Sequence, residues 1–165
     1  MSAILSPCGC YRYRLERSIS LFGKTAAIVM VNPSTADGET DDPTIRRVIG
    51  FAQKFGWARV IVGNVFAFRA TEVRALRTAK DPCGPHNATH LKQIFEEAEL
   101  AVFAWGPLAK LPLNLRDSWR FVWSLAAETK VPVRCLGTAL DGHPRHPLML
   151  KKAAELMDWS PPPAG

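Results

Sequence analysis

At 165 residues, with 47% hydrophobic and 22% charged side chains, the chain has the length of one domain and enough apolar residues to bury a core. Its 21 Lys and Arg against 15 Asp and Glu give a formal net charge of +6, which favours an anionic partner but says nothing about fold. No apolar run is long enough to cross a bilayer, and Arg12, Arg14 and Arg17 stand among tyrosines near the start where a secretory signal would be apolar. With four irregularly spaced cysteines (Cys8, Cys10, Cys83 and Cys135) suited to reduced thiols, the expectation is a cytoplasmic protein with no membrane partner.

In chain order, Tyr11, Tyr13 and Leu15 first alternate with Arg12, Arg14 and Glu16, the period of a half-exposed strand at a sheet edge. Residues 25–31 then form an almost unbroken apolar run, as in a strand covered on both faces. Asp42 as N-cap and Pro43 in the first turn open a helix with Ile45, Val48, Ile49, Ala52 and Phe55 on one stripe, ended by Gly56. A second strand follows at 59–65. Asn87 caps a helix that turns Leu91, Ile94, Phe95 and Ala98 inward, and a third strand spans 100–104. Leu115, Trp119, Val122, Trp123 and Ala126 form the next helical stripe, stopped before Pro132, and a fourth strand covers 132–136. After Pro147 the spacing predicts a fourth helix burying Met149, Ala153, Leu156 and Met157.

Strand–helix alternation of this kind predicts an α/β fold: a three-layer open sheet with a central, mostly parallel four-stranded sheet, plus an N-terminal edge strand or hairpin. Residues 1–158 make one domain, and 159–165, with three consecutive prolines, a flexible tail.

In open parallel sheets ligands bind beyond the carboxyl ends of the strands, so the residues following each strand are the ones to inspect. They are Asn32-Pro33-Ser34-Thr35-Ala36-Asp37, Asn64-Val65-Phe66-Ala67-Phe68-Arg69, Trp105-Gly106-Pro107 and Gly142-His143-Pro144-Arg145-His146-Pro147. Each also has a plainer reading: an Asn-Pro-Ser-Thr turn satisfies its own backbone, and Phe66, Phe68 and Trp105 suit a core. Asp141, His143 and His146 mimic metal-ligand spacing without a third well-presented ligand, so no metal is expected. No Gly-rich phosphate loop is present, which speaks against dinucleotide and nucleoside triphosphate cofactors; no cofactor is expected.

Together these segments resemble a known family. Asn32-Pro-Ser-Thr-Ala-Asp37, Asp41-Asp-Pro-Thr-Ile-Arg-Arg47, Asn64-Val-Phe-Ala-Phe-Arg-Ala-Thr71, Asp81-Pro-Cys-Gly-Pro-His-Asn87 and His146-Pro-Leu148 resemble a bacterial and phage family known as domain of unknown function 1643. More distantly, Val31-Asn32-Pro33-Ser34, the 60–69 run, Phe103-Ala-Trp-Gly106 and Arg145-His146-Pro147-Leu148 are similar to the motifs of the uracil-DNA glycosylase superfamily. The sequence departs from that superfamily in carrying Asn32 where its fastest members have aspartate, and in lacking Ser-Pro after the closing His-Pro. Gly142-His143-Pro144 also offers a competing alignment for that His-Pro, and the cysteines do not match iron–sulfur spacing.

The superfamily resemblance implies a monomeric DNA glycosylase-like protein that recognises or excises a modified or mismatched base, with DNA favoured over RNA as partner. On that reading Asn32, Asp37 and His146 are catalytic: Asn32 orients water, Asp37 is the nearest assisting carboxylate, and His146 donates to the departing base. Asn64, Phe66, Phe68 and Trp105 contact the base, and Ser34, Thr35, Arg46, Arg47, Arg69 and Arg145 hold phosphates. Two alternatives keep the pocket. One is a non-catalytic nucleobase- or nucleic-acid-binding module; the other is a hydrolase of a free modified nucleoside or nucleotide.

Overall fold

A computed structural model of the chain describes residues 1–164. Two apolar strands, β3 (Lys24–Met30) and β4 (Trp57–Asn64), sit at the centre of a seven-stranded sheet. The other strands are β1 (Ser2–Leu5), β2 (Arg12–Ser18), β5 (Leu100–Phe103), β6 (Val133–Cys135) and β7 (Met157–Asp158), in the spatial order β1-β2-β4-β3-β5-β6-β7. The β4–β3, β3–β5 and β5–β6 pairs are parallel, whereas β1–β2, β2–β4 and β6–β7 are antiparallel. The sheet is therefore mixed, and larger than the four-stranded, mostly parallel one expected, because short antiparallel strands extend both edges of the parallel run.

Alternate residues of β3 face opposite layers. Ala26, Ile28 and Met30 pack with Ile45, Val48, Phe51 and Ala52 of α1 (Pro43–Phe55). Ala27, Val29 and Val31 join Leu91, Ile94 and Phe95 of α2 (Asn87–Glu97) and Trp119, Val122 and Ala126 of α3 (Trp119–Thr129). α1 forms as its local chemistry dictates. Asp42 Oδ1 accepts from the backbone N–H of Ile45 at 2.9 Å, and Gly56 closes the helix at φ 67° with its N–H turned back to Ala52 and Gln53. Such a cap is worth about 1 kcal/mol.

Four expectations are corrected. β1 and β2 form the N-terminal antiparallel hairpin expected at that edge, but β2 is not half-exposed: it lies between β1 and β4, and Arg12, Arg14 and Arg17 are all buried. Asn87 is not a cap but the first residue of α2, and its Nδ2 donates to the carbonyls of Asn64 and Val65, tying the helix start to the end of β4. The segment after Pro147 makes one 3-10 turn (Pro147–Met149) and no α-helix. Its backbone is claimed from outside: Arg47 Nη2 donates to the carbonyl of Leu150 and Lys54 Nζ to that of Ala154, while Met149 and Met157 are exposed. Trp159, placed in the flexible tail by composition, is buried, and its Nε1 donates to the carbonyl of Gly142 at 3.0 Å. Gly165, the last residue of that tail, lies outside the described residues. Among the described residues no helix is long and apolar enough to cross a membrane.

Candidate functional site

The loops beyond the parallel strands are stitched to one another. The N–H groups of Val65 and Phe66 donate to the carbonyls of Met30 and Val31, Ala70 donates to Pro33, and Gly106 to Pro144. These bonds frame a cavity of about 430 Å³ in which Asn32, Ser34, Thr35, Trp105 and His146 meet Arg12, Asp42, Lys110 and the first turn of α1. That volume suits a small-molecule-sized group. Next to it runs a wider groove of about 720 Å³ lined by Arg46, Arg47, Lys54, Phe51 and Lys152; Pro43 and Leu148 line both.

Asn32 is held from one side only. Its Nδ2 donates to the carbonyls of Ala70 at 2.8 Å and Pro33 at 3.1 Å. Two carbonyl partners demand a donor, so the orientation of the amide is settled and Oδ1 is left as an acceptor. His146 Nδ1 accepts from the backbone N–H of Leu148 at 3.3 Å, which places the proton of the neutral ring on Nε2. Burial pushes the His146 imidazole below its ordinary value; Lys110 adds to this and Asp42 opposes it. The cavity therefore offers an acceptor and a neutral N–H donor.

The competing histidine lies elsewhere. His143 is buried in an aromatic cluster, its Nδ1 accepting from Trp105 Nε1 at 3.2 Å and its ring against Trp119 and Trp159. Its pKa is likewise lowered, by burial first and Arg120 second, with Asp141 opposing.

The remaining candidates divide. Asp37 does not line the cavity: its Oδ1 accepts from the N–H groups of Glu39 and Thr40, which holds the carboxyl below the usual range and commits it to a turn. Asn64 is buried outside the cavity lining, with its Nδ2 unpartnered. Phe66 is 0% exposed within the core, so no face is left to stack on a base. Phe68 is half-buried, edge-on to Tyr11, and lines a side groove with Cys10, Ser34 and Arg69. Arg46 and Arg47 line the basic groove, and exposed Arg145 donates to the carbonyl of Thr138 away from the cavity.

The charged residues that line the cavity, Arg12, Asp42 and Lys110, were given no site role from sequence. Asp42 was read as a cap and as part of the Asp41–Arg47 motif, and it is a cap; its Oδ2 also accepts from the N–H of Ala36 at 3.4 Å. Arg12 carried no sequence signal, since period-two alternation placed it in solvent.

The depressed histidines make stability depend on pH. The neutral forms of His143, His146 and His90 are favoured by the fold, the last through burial, His86 and Arg14. Their folded pKa values lie below the unfolded value of about 6.5, so their contribution is complete above that pH and is lost as pH falls through the folded values. Glu97, lowered by Arg14, and Asp37 act only below about pH 4. Urea midpoints are therefore expected to drop between pH 7.5 and 5.5, and a flat midpoint over that interval would contradict the burial of these rings.

The fold and site together define a mixed α/β protein with a ligand-sized polar cavity at the carboxyl ends of its parallel strands, beside a basic groove. The chain belongs to the family described as "Protein of unknown function (DUF1643)", which matches residues 12–148, a span holding every cavity-lining residue except Met149. No curated protein and no solved structure matches the chain.

Proposed function

We propose that the protein is a uracil-DNA glycosylase-like monomer that takes a modified or mismatched nucleobase into the cavity and hydrolyses its N-glycosidic bond, with DNA favoured over RNA. The observation that carries this reading is the continuity of the two depressions through Pro43 and Leu148. A nucleic-acid strand can follow Arg46, Arg47 and Lys152 while one unstacked nucleotide enters the polar cavity. There Asn32 Oδ1 accepts a hydrogen bond from the attacking water and orients it towards the sugar carbon, while neutral His146 donates a hydrogen bond from Nε2 to the base, which leaves as an anion and takes up the proton the water loses as its oxygen bonds to that carbon. Val31, Val73, Leu111 and Met149 supply apolar walls; Phe66 takes no part.

A second reading, binding without turnover, is favoured by one observation. The cavity carboxylate, Asp42, has both oxygens committed to backbone N–H groups, and Asn32 is tied to two carbonyls. Incubation of the protein with a panel of modified-base oligonucleotides, read as abasic sites formed, separates the two. Base release on at least one member is the expected result. Tight binding with no release would leave only the binding module, and neither outcome on any member would remove both.

A further inference from the structure

β2 carries three buried arginines, and two of them have the partners that buried charge requires. Arg14 forms a double hydrogen bond to Glu97 at 2.7 and 2.8 Å and another to Glu16 at 2.6 Å. Arg17 donates from Nε to Asp41 at 2.7 Å and to the carbonyls of Glu16, Asp37 and Thr40. Arg12, 2% exposed, is different. It makes one hydrogen bond, from Nη1 to the carbonyl of Ala36 at 2.7 Å, its Nε is buried with no partner, and among the described residues it forms no ion pair. Burial lowers its pKa to about 10, with Asp42 and Asp37 opposing and Arg69 and Arg17 reinforcing, so the guanidinium remains charged at neutral pH. This guanidinium lines the cavity.

We propose that the cavity binds a phosphate group, for which Arg12 is the buried counter-charge. The inference deepens the reading above, and rests on it for placing that phosphate on a nucleotide; the phosphate site itself stands on Arg12 and its surroundings. Ser34, Thr35 and Thr44 line the same cavity, and α1, 13 residues long, presents its positive end there. Asp42 takes the N–H of Ile45 and Pro43 has none, so the N–H of Thr44 is the one the cap does not use. Lys110 adds a second cation at the rim.

The geometry favours phosphate over carboxylate. A planar carboxylate pairs best with a guanidinium through two parallel N–H donors, and Arg12 does not offer such a pair to the cavity, since Nη1 is held by Ala36 and Nε is buried out of a ligand's reach, leaving Nη2. A tetrahedral group with three terminal oxygens instead accepts single donors from several directions: the arginine, hydroxyls and a helix N–H. The Asp42 carboxylate, turned to backbone N–H groups on both oxygens, compensates Arg12 only through space.

The test uses the intact protein and three probes: inorganic phosphate, a nucleoside 5′-monophosphate and the matching nucleoside. Thermal shift and calorimetry are expected to show binding of phosphate and of the monophosphate, with the nucleoside weaker by at least about tenfold, the scale of one charge-assisted contact. Arg12→Met is expected to abolish that preference while melting no lower than the wild type, because it removes a buried charge that has no ion pair among the described residues and an unpartnered Nε. A purely structural arginine would do the reverse, lowering the melting temperature and leaving the preference intact. Should Arg12→Met not fold, Arg12→Lys and Ser34→Ala are each expected to weaken phosphate at least about threefold.

Equal affinity for monophosphate and nucleoside in the wild type, or unchanged phosphate affinity in the folded variants, would overturn the proposal. Competition by a 5′-phosphorylated oligonucleotide against the mononucleotide tells a polymeric source from a free one. The base-release panel is scored separately: phosphate binding without release keeps this site and sinks the glycosylase, and release without a phosphate response does the opposite.

Discussion

Asn32→Ala is expected to slow base release on the order of 10²-fold or more while oligonucleotide affinity stays within about threefold. The asymmetry follows from where the side chain acts. Its amide nitrogen spans the two loops after β3 and β4, and its oxygen is the acceptor in the cavity, whereas the strand-tracking cations Arg46, Arg47 and Lys152 lie in the neighbouring groove. Losing the bond to Ala70, which joins the two loops, and the one to Pro33 within the first loop also costs about 1–3 kcal/mol of stability, so rates must be compared in single turnover well below the lower melting temperature. His146→Ala, which removes one donor to the developing anion, is expected to cost on the order of 10²–10³ in rate. Wild-type release by folded Asn32→Ala would end the catalytic role.

Asn32→Asp is the companion measurement. A carboxylate there would face the carbonyls of Pro33 and Ala70, so its folded pKa would rise above the unfolded value of about 3.9. The variant should therefore melt below the wild type at pH 7 and recover as pH falls through the folded value. In its protonated form the carboxyl can donate to Ala70 O. The aspartate used by the fastest glycosylases would thus be a liability in this loop.

What could be read from sequence was set by how local the deciding interactions are. α1 follows Asp42, Pro43 and Gly56 because its cap and its stop are made within a few residues. Asn32, Ser34, Thr35, Trp105 and His146 were legible as cavity residues because strand ends in a parallel run converge on one side of the sheet. Arg12 was not, since its burial depends on Ala36, more than 20 positions away, folding over β2. The helix expected after Pro147 had the right apolar period, but Arg47 and Lys54 of α1 take carbonyls that such a helix would use. Phe66 and Asp37 had the right chemistry in the right loops; side-chain direction and an Asp turn, both conformational details, removed them from the cavity.

Trp159→Ala is expected to destabilise the protein by about 3–5 kcal/mol, the usual cost of emptying a buried aromatic site. For a chain of this length that lowers the melting temperature on the order of 10 °C. The ring is 5% exposed and packs edge-on against Phe103, Trp105, Trp119 and Trp123, with centroids 5.4–6.1 Å away. Its backbone N–H donates to Val133 and its indole N–H to Gly142, so it joins β6 to the loop that leads to His146. Trp105 reaches the same loop through His143 and also lines the cavity. Loss of the Trp159 ring should therefore loosen residues 142–146 and weaken ligand binding as well as lower stability. Trp159→Phe, which keeps most of the ring contacts and gives up the bond to Gly142, is expected to cost only about 1–2 kcal/mol. Denaturant unfolding of both variants, with phosphate binding measured on each, is the direct check. A change under about 1 kcal/mol in Trp159→Ala would place the indole in a fraying terminus and cut the link from the aromatic cluster to the cavity.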